Sequence, residues 1–198
     1  MDGAVPERPG ERVVDLCSAP GGKTTFIGEL MNNVGEIVSV DRYETRLSLV
    51  KNSTHRLGVS IAHFVVADAT SVQLPPADKI LVDAPCSGLG VLAKKPDTKW
   101  RRDPDDIRDL RNLQQAVLTN ASTILKPGGI ITYSTCTTEP EENAEVVRIF
   151  LAEHPDFSIE PAGDRVPKEV VTSDGWIATF PHRHGMDGSF AVRLKKQG

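Results

Sequence analysis

A chain of 198 residues, 39% hydrophobic and 25% charged with a formal net charge of −4, has the size and balance of one soluble globular domain. It holds no apolar stretch near the roughly 20 residues a bilayer span requires, no secretory leader, and only three widely spaced cysteines, so a reducing cytoplasm is the expected setting. The acidic balance argues against a general affinity for nucleic acid, yet Lys94, Lys95, Lys99, Arg101 and Arg102 crowd into nine positions.

In chain order, Met1–Arg12 is a polar lead-in rich in Pro and Gly, and Val13-Val14-Asp15-Leu16 a short buried strand. Cys17–Gly22 is a turn. Lys23–Met31 has Phe26, Ile27, Leu30 and Met31 at the spacing of one helical face. Glu36–Val40 is a second strand closed by Asp41, and Thr45–Leu57 a helix with Leu47, Val50 and Leu57 inward. Ile61–Ala67, closed by Asp68, and Lys79–Val82, closed by Asp83, are the third and fourth strands. Pro104–Leu125 is a long helix that Pro104 starts and Lys126-Pro127-Gly128-Gly129 stops, and Ile130–Ser134 is the fifth strand. Pro140–His154 is a helix with Glu141 and Glu142 at its positive end. Trp176–Phe180 and Ser189–Leu194 are two last strands around the loop Pro181–Gly188.

Alternating strands and helices predict a single α/β domain over residues 1–198, a mostly parallel sheet with helices on both faces. Ligands of such sheets sit beyond the carboxyl ends of the strands. Cys17, Cys86, Cys136, Asp41, Asp68 and Asp83 all fall just past strand ends. Taken alone, Asp83-Ala84-Pro85-Cys86 reads as a nucleophilic thiol, Cys86, beside an acid.

The first turn, Cys17-Ser18-Ala19-Pro20-Gly21-Gly22-Lys23-Thr24, nearly fits the phosphate-cradling pattern G-x-x-x-x-G-K-[ST]. A phosphate loop needs glycine where Cys17 stands, because a side chain there obstructs the wrap. A dehydrogenase would want G-x-G-x-x-G, which is absent. The alternative to a nucleoside triphosphate is an adenosine carried without phosphates, with Asp41 accepting the ribose hydroxyls and Asp68 the adenine amino group. S-adenosylmethionine satisfies that description, although Asp41 and Asp68 each also suit a helix N-cap.

Four stretches carry a family resemblance: Asp15–Thr24, Asp83-Ala84-Pro85-Cys86-Ser87-Gly88-Leu89-Gly90, Tyr133-Ser134-Thr135-Cys136 with Pro140-Glu141-Glu142-Asn143, and Pro181-His182-Arg183-His184-Gly185-Met186-Asp187-Gly188. In this order and spacing the chain resembles the catalytic domain of the RNA cytosine-5 methyltransferases of the Sun/Nol/Nop2 family, most nearly its bacterial 16S ribosomal RNA branch. The resemblance implies a Rossmann-like class I methyltransferase sheet of seven strands, the last antiparallel, and a ribosomal RNA substrate. It implies S-adenosylmethionine contacts from Cys17, Ser18, Ala19, Pro20, Gly21, Gly22 and Lys23 and from Asp41, Asp68 and Asp83. The nucleophile moves to Cys136, and Cys86 becomes the thiol that assists product release. Two departures stand out. Ser189 sits where an aromatic is common, and family members carry upstream sequence and usually an RNA-binding domain, so a shortened chain is expected.

The chemistry fits these residue types. Carbon 5 of cytosine is a poor nucleophile until a thiolate adds at carbon 6. Asp83 is assigned to share a proton with nitrogen 3 as charge builds on the ring. A thiolate needs positive surroundings, for which Lys23 and the segment Lys94–Arg102 are the candidates. Cys17 is expected to be a packed thiol, His182 and His184 structural, and Trp100 either a base-stacking or a capping side chain. No thiol–histidine spacing suits zinc, so no metal is expected. A DNA cytosine methyltransferase, which uses a Pro-Cys thiol like Cys86, is disfavoured by Cys136. A cofactor-binding fragment inactive alone remains an alternative. The sequence sets no oligomeric state.

Overall fold

The computed structural model describes residues 10–198, so the lead-in expected from Met1 lies, up to residue 9, outside the described residues. Short runs of β-branched and aliphatic residues make the central strands: β1 (Arg12–Asp15), β2 (Glu36–Asp41), β3 (Ala62–Val66), β4 (Ala77–Asp83) and β5 (Leu125–Thr135). Helices α1 (Gly22–Leu30), α2 (Glu44–Arg56), α3 (Pro104–Ile124) and α4 (Ala144–Glu153) alternate with them. Three further strands, β6 (Phe157–Ile159), β7 (Ile177–Thr179) and β8 (Ser189–Lys196), complete one sheet in the order β3-β2-β1-β4-β5-β8-β6, with β7 also on β8. Pairing is parallel from β3 to β5, and β8 runs antiparallel to β5 as expected.

The expected seven strands become eight, because two short strands share the outer edge of β8. β6 pairs with Leu194–Lys196, and β7 with Ser189–Ala191. At three residues, β6 is too short to show a period of two, which is why Phe157–Ile159 escaped a reading by pattern.

Other differences have local causes. Phe26, Ile27, Leu30 and Met31 share the spacing of one helical face, but only Ile27 and Met31 are buried. Leu57 is exposed as well, while Leu47 and Val50 are fully buried. The stop Lys126–Gly129 ends the helix but belongs to β5, whose register with β4 shifts between Ala77 and Lys79. A Cβ on Gly129 would lie 2.8 Å from the Asp78 carbonyl oxygen, so the glycine allows that irregularity. Pro181–His184 is one helical turn rather than a loop.

The helix expected from Pro140 instead begins with a 3₁₀ turn, Pro140–Glu142, and breaks at Asn143 before α4. Asn143 uses its amide across the break: its Oδ1 accepts from the Thr135 hydroxyl at 2.5 Å, and its Nδ2 donates to the Thr137 carbonyl at 3.0 Å. At the start of α3, by contrast, Asp103 accepts the N–H groups of Asp105 and Asp106, and its own N–H donates in return to the Asp106 carboxylate. That capping box fixes where the chain turns from the basic segment into the helix.

Candidate active site

β1, β4 and β5 are neighbours, so the turns that follow them emerge side by side. Cys86 comes from the turn after β4 and Cys136 from the turn after β5, fifty positions apart in the chain, and their sulfurs lie 3.2 Å apart. Both are free thiols. The Cys136 N–H donates to the Cys86 sulfur at 3.3 Å.

A polar frame holds the two turns together. The hydroxyls of Ser87 and Thr137 share a hydrogen bond of 2.8 Å. Glu142, fully buried, accepts at one carboxylate oxygen from the Ser87 N–H and from the Gln114 amide, both at 2.9 Å. The same Gln114 amide donates to the Pro85 carbonyl at 2.9 Å. Gly90 donates its N–H to the Cys136 carbonyl at 3.0 Å and accepts the Gly188 N–H at 2.8 Å. A Cβ on Gly90 would stand 2.1 Å from the Gly188 oxygen, so the last turn reaches the thiol only across glycine.

The two sulfurs differ electrostatically. A hydrogen bond from Cys86, with help from Lys95 against the opposing effects of burial and Asp83, lowers the Cys136 thiol from 9.0 to about 7. Cys86 moves the other way, far up, because it is the donor to Cys136 and the more enclosed of the two. The charge settles on the exposed sulfur, where water solvates it best. Cys17 is pushed well up by burial and by Asp15, which leaves it a packed, protonated thiol.

Lys23, a candidate for the positive surroundings of a thiolate, is engaged by a carboxylate. It ion-pairs with Asp83 at 2.6 Å, and the cation that lowers Cys136 is Lys95. The other Asp83 oxygen accepts from the Ser134 hydroxyl at 2.8 Å. Thr24 likewise donates to Asp15 at 2.7 Å. Both residues that a phosphate loop would aim at a triphosphate and its metal are thus engaged by carboxylates.

No motif in the sequence assigns Asp15 a role of its own. It is buried, burial raises its carboxyl to about 7, and among the described residues Oδ1 has no hydrogen-bond partner. Only the missing partner makes it stand out, and no pattern of residues shows that. Glu142 reads in the sequence as a charge at a helix end, and only its bonds to Ser87 and Gln114 show what it holds together.

The first turn is anchored to β2, where both the N–H and the hydroxyl of Ser18 donate to the Val40 carbonyl, at 2.9 and 3.0 Å. Gly21 has φ of +109°, and a Cβ there would sit 2.9 Å from the Val50 Cα. At Gly22 a Cβ would meet nothing within 4 Å, so the turn opens outward at the start of α1. Asp41, at the end of β2, accepts the Tyr43 N–H at 3.0 Å and faces Arg46 at 3.7 Å, while Arg46 also reaches the Ala19 carbonyl. Asp41 therefore does not cap α2, whose N-cap is Tyr43. Asp68 accepts the N–H and hydroxyl of Thr70, which hold its carboxyl below the usual value, and faces Arg42 at 3.8 Å.

These residues fit an adenosine-bearing cofactor without phosphates. The carboxylates of Asp41, Asp68 and Asp83 would repel phosphate but accept from hydroxyl and amino groups.

The final hairpin braces the site. His184 accepts the Phe180 N–H at 2.9 Å and meets the Glu169 carbonyl at 3.2 Å, His182 lies against the Phe180 ring, and Asp187 pairs with Lys94 at 2.5 Å. Ser189 is buried against the Thr179 hydroxyl.

Comparison with known proteins points one way. A family model described as 16S rRNA methyltransferase RsmB/F matches residues 4–195. The probable ribosomal RNA small subunit methyltransferase B of Bacillus subtilis is 40% identical over 202 residues, covering 98% of this chain and 45% of that protein. Among solved structures, PH0851 aligns with a TM-score of 0.90 at 38% identity, over 96% of this chain and 44% of that one. NSun6 from Pyrococcus horikoshii, solved with SFG, aligns with a TM-score of 0.87 at 32% identity, over 97% and 49%. The chain spans less than half the length of the curated relatives it matches.

Proposed function

The chain belongs to the 16S rRNA methyltransferase RsmB/F family, and from that membership we propose that it methylates carbon 5 of a cytosine in ribosomal RNA through a covalent bond to Cys136. The observation that carries this reading is the thiol pair, a lowered Cys136 and a raised Cys86 3.2 Å apart. A packed structural pair has no need of such asymmetry, whereas covalent catalysis requires one ready thiolate.

The cofactor is S-adenosylmethionine, as the family's fold and the SFG-bound neighbour support. Residues Cys17–Lys23, Asp41, Asp68 and Asp83 would hold it, with Cys17 contributing backbone only. When bound, it supplies an electrophilic methyl group to carbon 5.

The chain's own residues do the rest. The Cys136 thiolate forms a bond to carbon 6, and the ring π pair moves toward the carbonyl and nitrogen 3. Asp83, fixed by Lys23 and Ser134, shares with nitrogen 3 a proton taken from solvent as charge builds on the ring, and so favours that adduct. After methylation, solvent water takes the carbon-5 proton, the freed C–H pair restores the 5,6 double bond, and the carbon–sulfur pair returns to Cys136. Cys86 S–H meets the departing thiolate through the same hydrogen bond that lowers it in the resting enzyme.

A denaturing gel after incubation with RNA and S-adenosylmethionine tests the roles. Cys136→Ala is expected to lose methyl transfer and form no adduct, and Cys86→Ala to accumulate a protein–RNA adduct. The reverse pattern would exchange the two roles. Cofactor binding by calorimetry without methyl transfer by the unaltered chain would favour a cofactor-binding fragment inactive alone.

A further inference from the structure

Trp100 is 80% exposed, the most exposed large apolar side chain among the described residues. An aromatic of this size left in water forgoes the burial that normally holds it inside, so its position asks for a partner. It does not cap the loop beneath it. It ends a 3₁₀ turn, Pro96–Trp100, whose backbone is fixed by bonds from Thr98 N–H to Lys95 and from Arg101 N–H to Thr98, both 3.1 Å.

That turn is fastened to the thiol site. Arg102 donates from Nε to the Ser87 carbonyl at 3.1 Å, and the Thr98 methyl lies 3.8 Å from where a Cβ on Gly88 would be. Lys95, at the other end of the turn, is the cation that lowers Cys136. At about 2 Å per residue of 3₁₀ helix, Trp100 stands roughly 10 Å along from Lys95. Lys99 lies over one face of the indole, 4.6 Å from its centroid. Among the described residues Lys95, Lys99 and Arg101 form no ion pair, so positive charge is available around the ring despite the acidic whole.

We propose that Trp100, with Lys99 on its one face, is a stacking platform for the base next to the target cytosine in a single-stranded or opened RNA. The inference rests on the RNA reading above and adds to it how the strand is held. A cytosine can reach Cys136 only after leaving its stack, which uncovers the face of its neighbour. An exposed indole fixed one turn away replaces that lost partner, and the free lysines and arginine neutralise the phosphates on either side.

The chain contains two tryptophans, and the other, Trp176, is buried against Phe190, so a fluorescence change on RNA binding reports Trp100. The probe is a short single-stranded oligoribonucleotide with one cytosine, added to the unaltered chain. Binding is expected to quench the exposed indole and shield it from acrylamide. Trp100→Leu is expected to raise the KM for RNA by about 5- to 150-fold, the range for one base–aromatic stack. Its affinity for S-adenosylmethionine by calorimetry stays unchanged, and Trp100→Phe keeps most of the RNA affinity. RNA that binds and is methylated with the indole unperturbed, or a Phe variant as poor as Leu, overturns the platform while leaving the activity standing. No methylation or binding of any RNA by the unaltered chain overturns the activity and the platform with it, and would turn the patch toward an acidic protein partner.

Discussion

Replacing Cys86 by Ala removes the hydrogen bond that is the largest cause of the lowered Cys136 thiol. What remains is burial and Asp83, both raising, against Lys95 and the backbone N–H of Cys136, so with its largest lowering cause gone Cys136 returns toward its ordinary 9.0. At pH 7 its thiolate fraction falls from about one half to about one in a hundred. The more basic thiolate is also the better nucleophile: with a Brønsted slope of about 0.4–0.5, two units of basicity return roughly 6- to 10-fold. The net effect at pH 7 is therefore a slowing of about 5- to 8-fold, turning into a comparable acceleration above pH 10. Iodoacetamide alkylation followed by peptide mass spectrometry reads Cys136 separately from Cys86 and Cys17. The unaltered chain is expected to give a rate that rises with pH around 7 and then levels, and the variant a midpoint near 9 with a higher plateau. An unchanged midpoint, or Cys86 labelled before Cys136 in the unaltered chain, would refute the assignment of the charge.

Three further outcomes are expected. The buried Asp15 carboxyl is raised in the folded chain to about 7 from 3.8, so its neutral form stabilises the fold at low pH and that contribution is lost as pH rises through about 7. Asp15→Asn, which keeps an acceptor for Thr24, should melt increasingly above the parent from about pH 4 to pH 7, with the gap levelling off beyond; a difference that shrinks over that window counts against the burial argument. Glu142→Ala leaves the Ser87 N–H and part of the Gln114 amide without an acceptor in the interior, costing about 2–4 kcal/mol in urea unfolding. A loss below about 0.5 kcal/mol would mean the frame relaxes freely. Gly90→Ala must push back the Gly188 or Cys136 backbone, costing about 1–3 kcal/mol and moving the Cys136 alkylation midpoint toward 9 as the sulfurs separate. A midpoint still near 7 would show that the pair does not depend on that contact.

Much of this site was legible because it is built from short turns after buried strands. Val13–Leu16, Glu36–Val40 and Lys79–Val82 announce themselves as apolar runs closed by an acid or a turn, and helices of helical period lie between them. A parallel sheet then places their ends together by topology alone. Less legible were the helix faces. Phe26 and Leu30 carry the right spacing but sit on the rim, because the stripe that packs under α1 is narrower than the run of apolar residues. The break at Asn143 was hidden because Pro140–Glu142 has a good helix start, and the bonds that oppose its continuation, Asn143 with Thr135 and Thr137 and the Tyr133 hydroxyl on the Glu142 carbonyl, exist only once β5 and its turn are folded.

The sequence by itself determined the alternation of strands and helices, the turn chemistry at Gly21 and Gly22, and which residue types could do thiol chemistry, since each depends on residues near one another in the chain. The tertiary structure alone decided which partners those residues have. Cys86 and Cys136 meet because β4 and β5 are adjacent, Lys23 goes to Asp83 rather than to a thiol, and Lys95 supplies the charge near Cys136. Protonation follows from such distances and from burial, and neither is a property of a residue's place in the chain.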